Sequence, residues 1–235
     1  MTSTLDRLRL TAALQPVVGA STGAVAGFEA LLRPFCGPTP VEPALLFGAS
    51  ADRASVRRLD VLAHEVALRT GAEHLGAGLL FVNVSAATLN GHWGWLSTLA
   101  ATARSLRIEP GQVVLEVTEQ HRPDLRLLPQ LRTRSRDLGL RLALDDLGEG
   151  HATMATLDAL RPDLVKLAPW AARISPDDVL GGVVGSIVDE CHARGMTVVA
   201  EGVEHEVQRA ALVRLGVDLL QGYLVGRPQQ VPVAA

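Results

Sequence analysis

At 235 residues with 48% apolar side chains, the chain is long enough to bury a sizeable core and has the size common for one α/β barrel. A net charge of −3 with no basic tract argues against a grip on a nucleic-acid duplex. No apolar run approaches the roughly eighteen residues needed to span a bilayer, and Asp6, Arg7 and Arg9 interrupt the N-terminus before any signal-peptide core. Cys36 and Cys191 are isolated and lack metal-ligand or redox spacing, which fits core thiols in a reducing cytoplasm.

Residues 11–18 and 24–32 read as a β-hairpin turned at Gly19-Ala20-Ser21-Thr22-Gly23. Glu29 lies inside the second, otherwise apolar run, with Arg33 just beyond. Buried carboxylates are rare unless paired or bound to metal, so Glu29 is either the partner of Arg33 or a ligand. A proline-broken loop over 34–43 leads to a helix over 44–70, with apolar positions at Leu45, Leu46, Val56, Leu59, Leu62 and Val66. The strand over 79–85 carries Asn83, one of only two asparagines, in its middle. Asparagine is a poor strand former; it serves here as a backbone hydrogen-bond partner or as a neutral oxygen ligand. A helix over 88–106 is weakened at its start by Gly91 and Gly94.

A third strand over 113–119 closes in Glu116 and Glu119, and the helix over 125–138 is arginine-rich on its solvated face. The run Leu142-Ala143-Leu144-Asp145-Asp146-Leu147-Gly148 is a buried strand ending in two adjacent carboxylates. Neighbouring side chains on a strand point to opposite faces. Both acids serve one site only if the strand opens out there; otherwise one of them caps a helix or shapes the glycine turn. After a short helix over 151–160, the strand over 163–167 sets Lys166, the only lysine, among apolar neighbours. A helix over 176–194 has Asp177 and Asp178 in its first turn. The strand over 197–204 ends in Glu201 and Glu204, the helix over 206–215 stops at Gly216, and the strand over 217–223 holds Gln221.

This alternation predicts a parallel sheet closed into a barrel, with one opening strand running against the rest. Glu29, Asn83, Glu116, Asp145, Asp146, Lys166, Glu201, Glu204 and Gln221 all lie in a predicted strand or at its C-terminal end. Barrel strands converge on one face there, where active sites sit. So many carboxylates require cations, and all-oxygen ligands favour Mg²⁺, Mn²⁺ or Ca²⁺. Two ions about 3.5–4 Å apart, sharing Asp145, suit attack of an activated water on a phosphate ester. Lys166 and Arg33 would neutralise phosphate charge or hold the attacking water.

Glu29-Ala30-Leu31-Leu32-Arg33 resembles the signature of the EAL-domain family of cyclic di-GMP phosphodiesterases. The resemblance extends through Gln15-Pro16, Asn83-Val84-Ser85, Glu116-Val117-Thr118-Glu119, Asp145-Asp146, Val165-Lys166, Glu201-Gly202-Val203-Glu204, Gln221-Gly222-Tyr223 and Gly226-Arg227-Pro228, in order and over essentially the whole chain. It implies that residues 1–235 form a single EAL domain, a modified TIM (β/α)8 barrel with an antiparallel first strand. The implied reaction hydrolyses cyclic di-GMP to linear pGpG with two Mg²⁺ or Mn²⁺, Ca²⁺ being inhibitory. By the same resemblance, Glu29, Asn83, Glu116 and Asp145 hold the first metal, and Asp145, Asp146 and Glu201 the second. Lys166 orients water with Gln221 close by, Glu204 is a supporting acid, and Gln15, Arg33 and Pro228 contact substrate. Glu119 anchors the loop after Asp146, and the protein is a homodimer.

That loop departs from the family pattern. Ala152 stands where a serine normally hydrogen-bonds the acid matching Glu119, and an alanine side chain cannot donate. Lys166-Leu167-Ala168 replaces the usual Lys-Ile-Asp, and Pro34 replaces a tryptophan. The expectation is a slowed enzyme, the alternative a catalytically weak receptor for cyclic di-GMP.

Overall fold

The computed structural model describes residues 8–47, 52–85, 87–89, 92–117, 124–148, 154–173, 175, 177 and 179–231. In chain order the elements are β1 (Leu8–Gly19), β2 (Val25–Cys36), β3 (Thr39–Pro40), α1 (Pro43–Phe47), α2 (Arg53–Ala72), β4 (Leu79–Val84), α3 (Gly94–Ser105), β5 (Val113–Val117), α4 (Leu128–Leu138) and β6 (Arg141–Leu147). They continue as α5 (Met154–Leu160), β7 (Leu164–Leu167), α6 (Val179–Ala193), β8 (Thr197–Ala200), α7 (Glu206–Arg214), β9 (Leu219–Gln221) and β10 (Gln229–Gln230).

Eight of the strands close a ring in the order β1, β2, β4, β5, β6, β7, β8, β9 and back to β1. The first strand is antiparallel to both of its neighbours, and the pairings from β2 round to β9 are parallel. The fold is thus a TIM-like α/β barrel whose opening strand runs the other way. The hairpin explains why: a five-residue turn returns the chain beside itself, with Gln15 opposite Glu29 and Thr11 opposite Arg33.

Two apolar layers hold the barrel together. Outside it, the helices bury Leu68, Leu96, Leu131, Leu157, Val184 and Leu212 against the outward faces of the strands. Inside, Val17, Phe81, Val114, Ala143, Leu164 and Val199 form a separate cluster with Leu79 and Leu219. Side chains two apart on a strand share a face. Each strand therefore also turns inward the residue two positions along: Gln15, Asn83, Glu116, Asp145, Lys166, Glu201 and Gln221. On β2 the floor residue is Gly27 and the polar one Glu29. A Cβ at Gly27 would lie 2.2 Å from the carbonyl oxygen of Leu79, so β2 reaches β4 only because that position carries no side chain. The interior is an apolar floor beneath a polar layer at the mouth.

Several helices are shorter than their periodicity predicts. The predicted 44–70 helix is α1 and α2, the second opened by Asp52, whose carboxylate accepts the Ala54 and Ser55 N–H groups. The third helix starts only at Gly94, in line with the cost of the preceding glycine, and α4 starts at Leu128 with Pro129 in its first turn. Asp177 lies before α6 rather than in its first turn, and pairs with Arg214 at 2.7 Å; Asp178 is outside the described residues. Among the described residues, no helix is long and apolar enough to cross a membrane.

Candidate metal centre

Lys166 stands at the centre of the polar layer, 1% exposed. Its Nζ lies 2.6 Å from Glu201 Oε1, 2.8 Å from Glu116 Oε1, 3.2 Å from Glu29 Oε2 and 3.4 Å from Asp145 Oδ1. Glu29 is therefore not the partner of Arg33. Two amides complete its surroundings: Asn83 Nδ2 donates to Glu29 Oε1 at 2.9 Å and Gln221 Nε2 to Glu29 Oε2 at 2.6 Å. The same Gln221 nitrogen is 3.2 Å from Gln15 Oε1, and Gln15 Nε2 donates to the carbonyl of Gly226 at 3.1 Å. This chain of amides ties the Gly226-Arg227-Pro228 loop to the acids.

The end of β6 resolves the question of two adjacent carboxylates. Leu144 pairs with Val165 and Leu147 with Leu167, so three steps on β6 match two on β7 and the strand bulges between them. Within the bulge Asp146 adopts φ +55°, a left-handed conformation that costs an L-residue about 1 kcal/mol and that aspartate tolerates better than most. The distortion turns both acids toward the mouth. One carboxylate oxygen from each of Asp145, Asp146 and Glu201 lies within 4.8 Å of the others. Glu201 is the first residue past β8, and Gly202, at φ +66°, turns the chain away behind it.

Charge at the site is far from balanced. Glu29, Glu116, Asp145 and Glu201 surround a single ammonium. Burial pushes the Glu116 carboxyl well above the usual range, and Glu29 and Asp145 push it further. Burial likewise raises Glu201, to about 7, against the pull of Lys166. Glu29 is lowered: burial works to raise it, but Lys166, Gln221 and Asn83 outweigh that. Lys166 is raised well above its usual value, because Asp145, Glu116, Glu29 and Glu201 overcome its own burial. Both Glu116 oxygens and Asp145 Oδ1 are buried without a hydrogen bond, the lysine contacts being ion pairs without hydrogen-bond alignment. Buried acceptors without donors are uncommon in folded proteins. Oxygen donors in this number, short of positive charge, fit hard divalent cations.

Beside the acids is a cavity of about 310 Å³ whose walls include Glu29, Arg33, Phe47, Asp60, His64 and Asn83. Arg33 is half-buried there and donates to the carbonyl of Leu32 at 3.0 Å. Pro228 is half-buried next to the Gly226 carbonyl that Gln15 holds. Glu204 does not join the cluster: it is exposed, and its backbone N–H donates to Gln208 at 2.7 Å. Glu119, Ala152 and the rest of the altered loop from Glu149 to Thr153 lie outside the described residues. Sequence reasoning missed Asp60 and His64, which are buried on α2 against the end of β4. Two polar residues one turn apart within an apolar stripe were the available signal.

The family model for the EAL domain matches residues 2–228. The chain belongs to the EAL-domain family. It is 29% identical over 224 residues to the cyclic di-GMP phosphodiesterase PdeL of Escherichia coli K12, covering 92% of this chain and 61% of PdeL. Its fold resembles that of Klebsiella pneumoniae BlrP1, solved with manganese and cyclic di-GMP. The TM-score is 0.82 at 28% identity, over 95% of this EAL chain and 60% of that one. The PaMucR phosphodiesterase in complex with cyclic di-GMP superposes with a TM-score of 0.81 at 28% identity, over 94% and 97% of the two chains. The EAL chain spans 17–61% of the length of the curated relatives it matches.

Proposed function

We propose that this EAL domain, taken as residues 1–235, is a cyclic di-GMP phosphodiesterase that yields linear pGpG and uses two Mg²⁺ or Mn²⁺ ions. The observation carrying the reading is the gathering of Glu29, Asn83, Glu116, Asp145 and Glu201 from five strands around one barrel mouth, with one lysine to offset four carboxylates. Relatives named as cyclic di-GMP phosphodiesterases support the substrate.

Glu29, Glu116, Asp145 and the amide oxygen of Asn83 would hold one ion, and Asp145, Asp146 and Glu201 the other. When bound, such a pair polarises the phosphoryl oxygens and makes a water acidic enough to ionise near neutral pH. Lys166 carries three N–H donors, one of them on Glu29 Oε2 at 3.2 Å, so it can also meet the lone pairs of an attacking water and stabilise charge as the phosphate is displaced. Gln221 holds Glu29 in place, and through Gln15 fixes the loop bearing Pro228. Arg33 on the cavity wall supplies a cation for a phosphate oxygen. Calcium would inhibit, since it takes more oxygen ligands in looser geometry than Mg²⁺ does.

The domain works as a homodimer in a reducing cytoplasm. Val179, Leu180 and Val183 on α6 and Met154 on α5 leave an apolar face exposed, and Cys36 and Cys191 are free thiols.

A timed assay with cyclic di-GMP and Mn²⁺ tests the reading, with Glu29→Ala as the control. Release of pGpG by wild type and not by the variant supports an enzyme. Equal, negligible turnover with nucleotide still bound would make the domain a receptor instead.

A further inference from the structure

Two buried polar residues take no part in holding the ions or the substrate. On α2, Asp60 and His64 are one turn apart and each is 3% exposed. Both reach the end of β4. His64 Nε2 lies 3.1 Å from the carbonyl oxygen of Asn83; a carbonyl only accepts, so the ring carries its proton on Nε2 and donates. Asp60 Oδ2 accepts twice from Ser85, from its N–H at 3.0 Å and its Oγ at 2.7 Å. The two anchors bracket Val84, the last residue of the strand. Trp95 on α3, its ring 5.4 Å from that of His64, closes the other side.

We propose that His64 and Asp60 are positioning residues for Asn83: by gripping the backbone on either side of Val84, they aim the Asn83 amide at Glu29. On the β2 side the ladder ends at Val82, so Asn83 and Val84 are paired along one edge only, by β5, and the free edge leaves the strand end room to twist. Its Nδ2 is committed to Glu29 Oε1 at 2.9 Å, so its Oδ1 is the atom left to face a cation. A small rotation about the Asn83 backbone would break the first contact and misdirect the second. Burying a carboxylate and an imidazole in an apolar helix stripe is costly, and aliphatic residues would fill the space more cheaply. The polar pair earns its place through geometry, as hydrogen-bond partners of ligands commonly do.

The proposal rests on Asn83 being a metal ligand, and the test separates the two. The chain has only two asparagines, Asn83 and Asn90, so selective [¹⁵N]asparagine labelling of metal-free protein gives two side-chain amide pairs, one of them shifted by the Glu29 bond. In His64→Leu, folded by circular dichroism, the shifted pair moves to the free-amide position. Mn²⁺ affinity falls about tenfold or more, and at saturating Mn²⁺ kcat falls while KM for cyclic di-GMP stays within about twofold. His64→Gln, which keeps a donor, recovers the signal and the affinity. Asp60→Ala against Asp60→Asn repeats the comparison from the other anchor. A wild-type Asn83 signal in folded His64→Leu and Asp60→Ala overturns the proposal, whatever their metal affinity. A signal that moves in the variants of a protein that does not hydrolyse cyclic di-GMP leaves the positioning role standing and removes the function proposed above.

Discussion

Replacing Lys166 by methionine takes the only ammonium out of a pocket of four carboxylates while keeping a side chain of similar length. Each contact, at 2.6–3.4 Å, is worth about 5 kcal/mol of attraction at an effective dielectric near 20. Most of that is offset by repulsion among the acids and by the protons that Glu116 and Glu201 then take up. Removing one partner of a buried ion pair leaves a net loss of about 3–5 kcal/mol. For a chain of this size, each kcal/mol shifts Tm by about 2–4 °C, so Lys166→Met should melt about 6–20 °C below wild type in chelator. Mn²⁺ should recover most of the loss, stabilising the variant more than wild type, because Glu29, Glu116, Asp145 and Glu201 have then lost the ammonium they share. The variant should still bind cyclic di-GMP but turn it over far more slowly. Thermal denaturation in EDTA and in Mn²⁺ reads both effects. An unchanged Tm in EDTA, or a deficit that Mn²⁺ does not narrow, would refute the view of this pocket as a cation site.

Gln221→Ala removes a charge-assisted donor 2.6 Å from Glu29 and should cost about 1.5–3 kcal/mol of stability, read from the urea midpoint; a loss under about 0.5 kcal/mol would make the amide chain incidental. In chelator, Glu201 should couple stability to pH. Its folded carboxyl titrates at about 7 against 4.5 in the open chain, so the folded state holds a proton that the unfolded state releases. That stability is fully present below about 4.5 and lost as pH rises through about 7, about 3 kcal/mol in all. Comparing wild type with Glu201→Gln at pH 5 and pH 8 isolates it; a difference that is flat or of opposite sign contradicts the assignment. Ala152→Ser restores a donor to the loop after Asp146 and should raise turnover about tenfold or more if lost anchoring is the deficit; an unchanged rate removes that explanation.

The polar layer was legible because it violates the apolar pattern on strand after strand. An acid, amide or lysine two positions beyond a buried aliphatic is visible without coordinates, and so is the hairpin that reverses the first strand. What was not legible depends on geometry that periodicity does not carry. Nothing in Asp145-Asp146 announces the bulge at φ +55° that turns both acids to one mouth. The isolation of Lys166 was evident, but not that it would stand among four carboxylates rather than beside one. On α2 Val56 and Leu59 are buried as their spacing suggests, but Leu62 is exposed, Val66 is half-buried, and Asp60 and His64 turn inward. A helix rotated by one residue keeps almost the same hydrophobic pattern, so only packing against β4 decides which face turns in.

The most direct measurement is anomalous diffraction from a crystal of the protein grown or soaked with Mn²⁺. The account predicts two peaks about 3.5–4 Å apart, one among Glu29, Asn83, Glu116 and Asp145 and the other among Asp145, Asp146 and Glu201. A crystal with manganese bound elsewhere, or none bound while Lys166 keeps all four carboxylates, would contradict it.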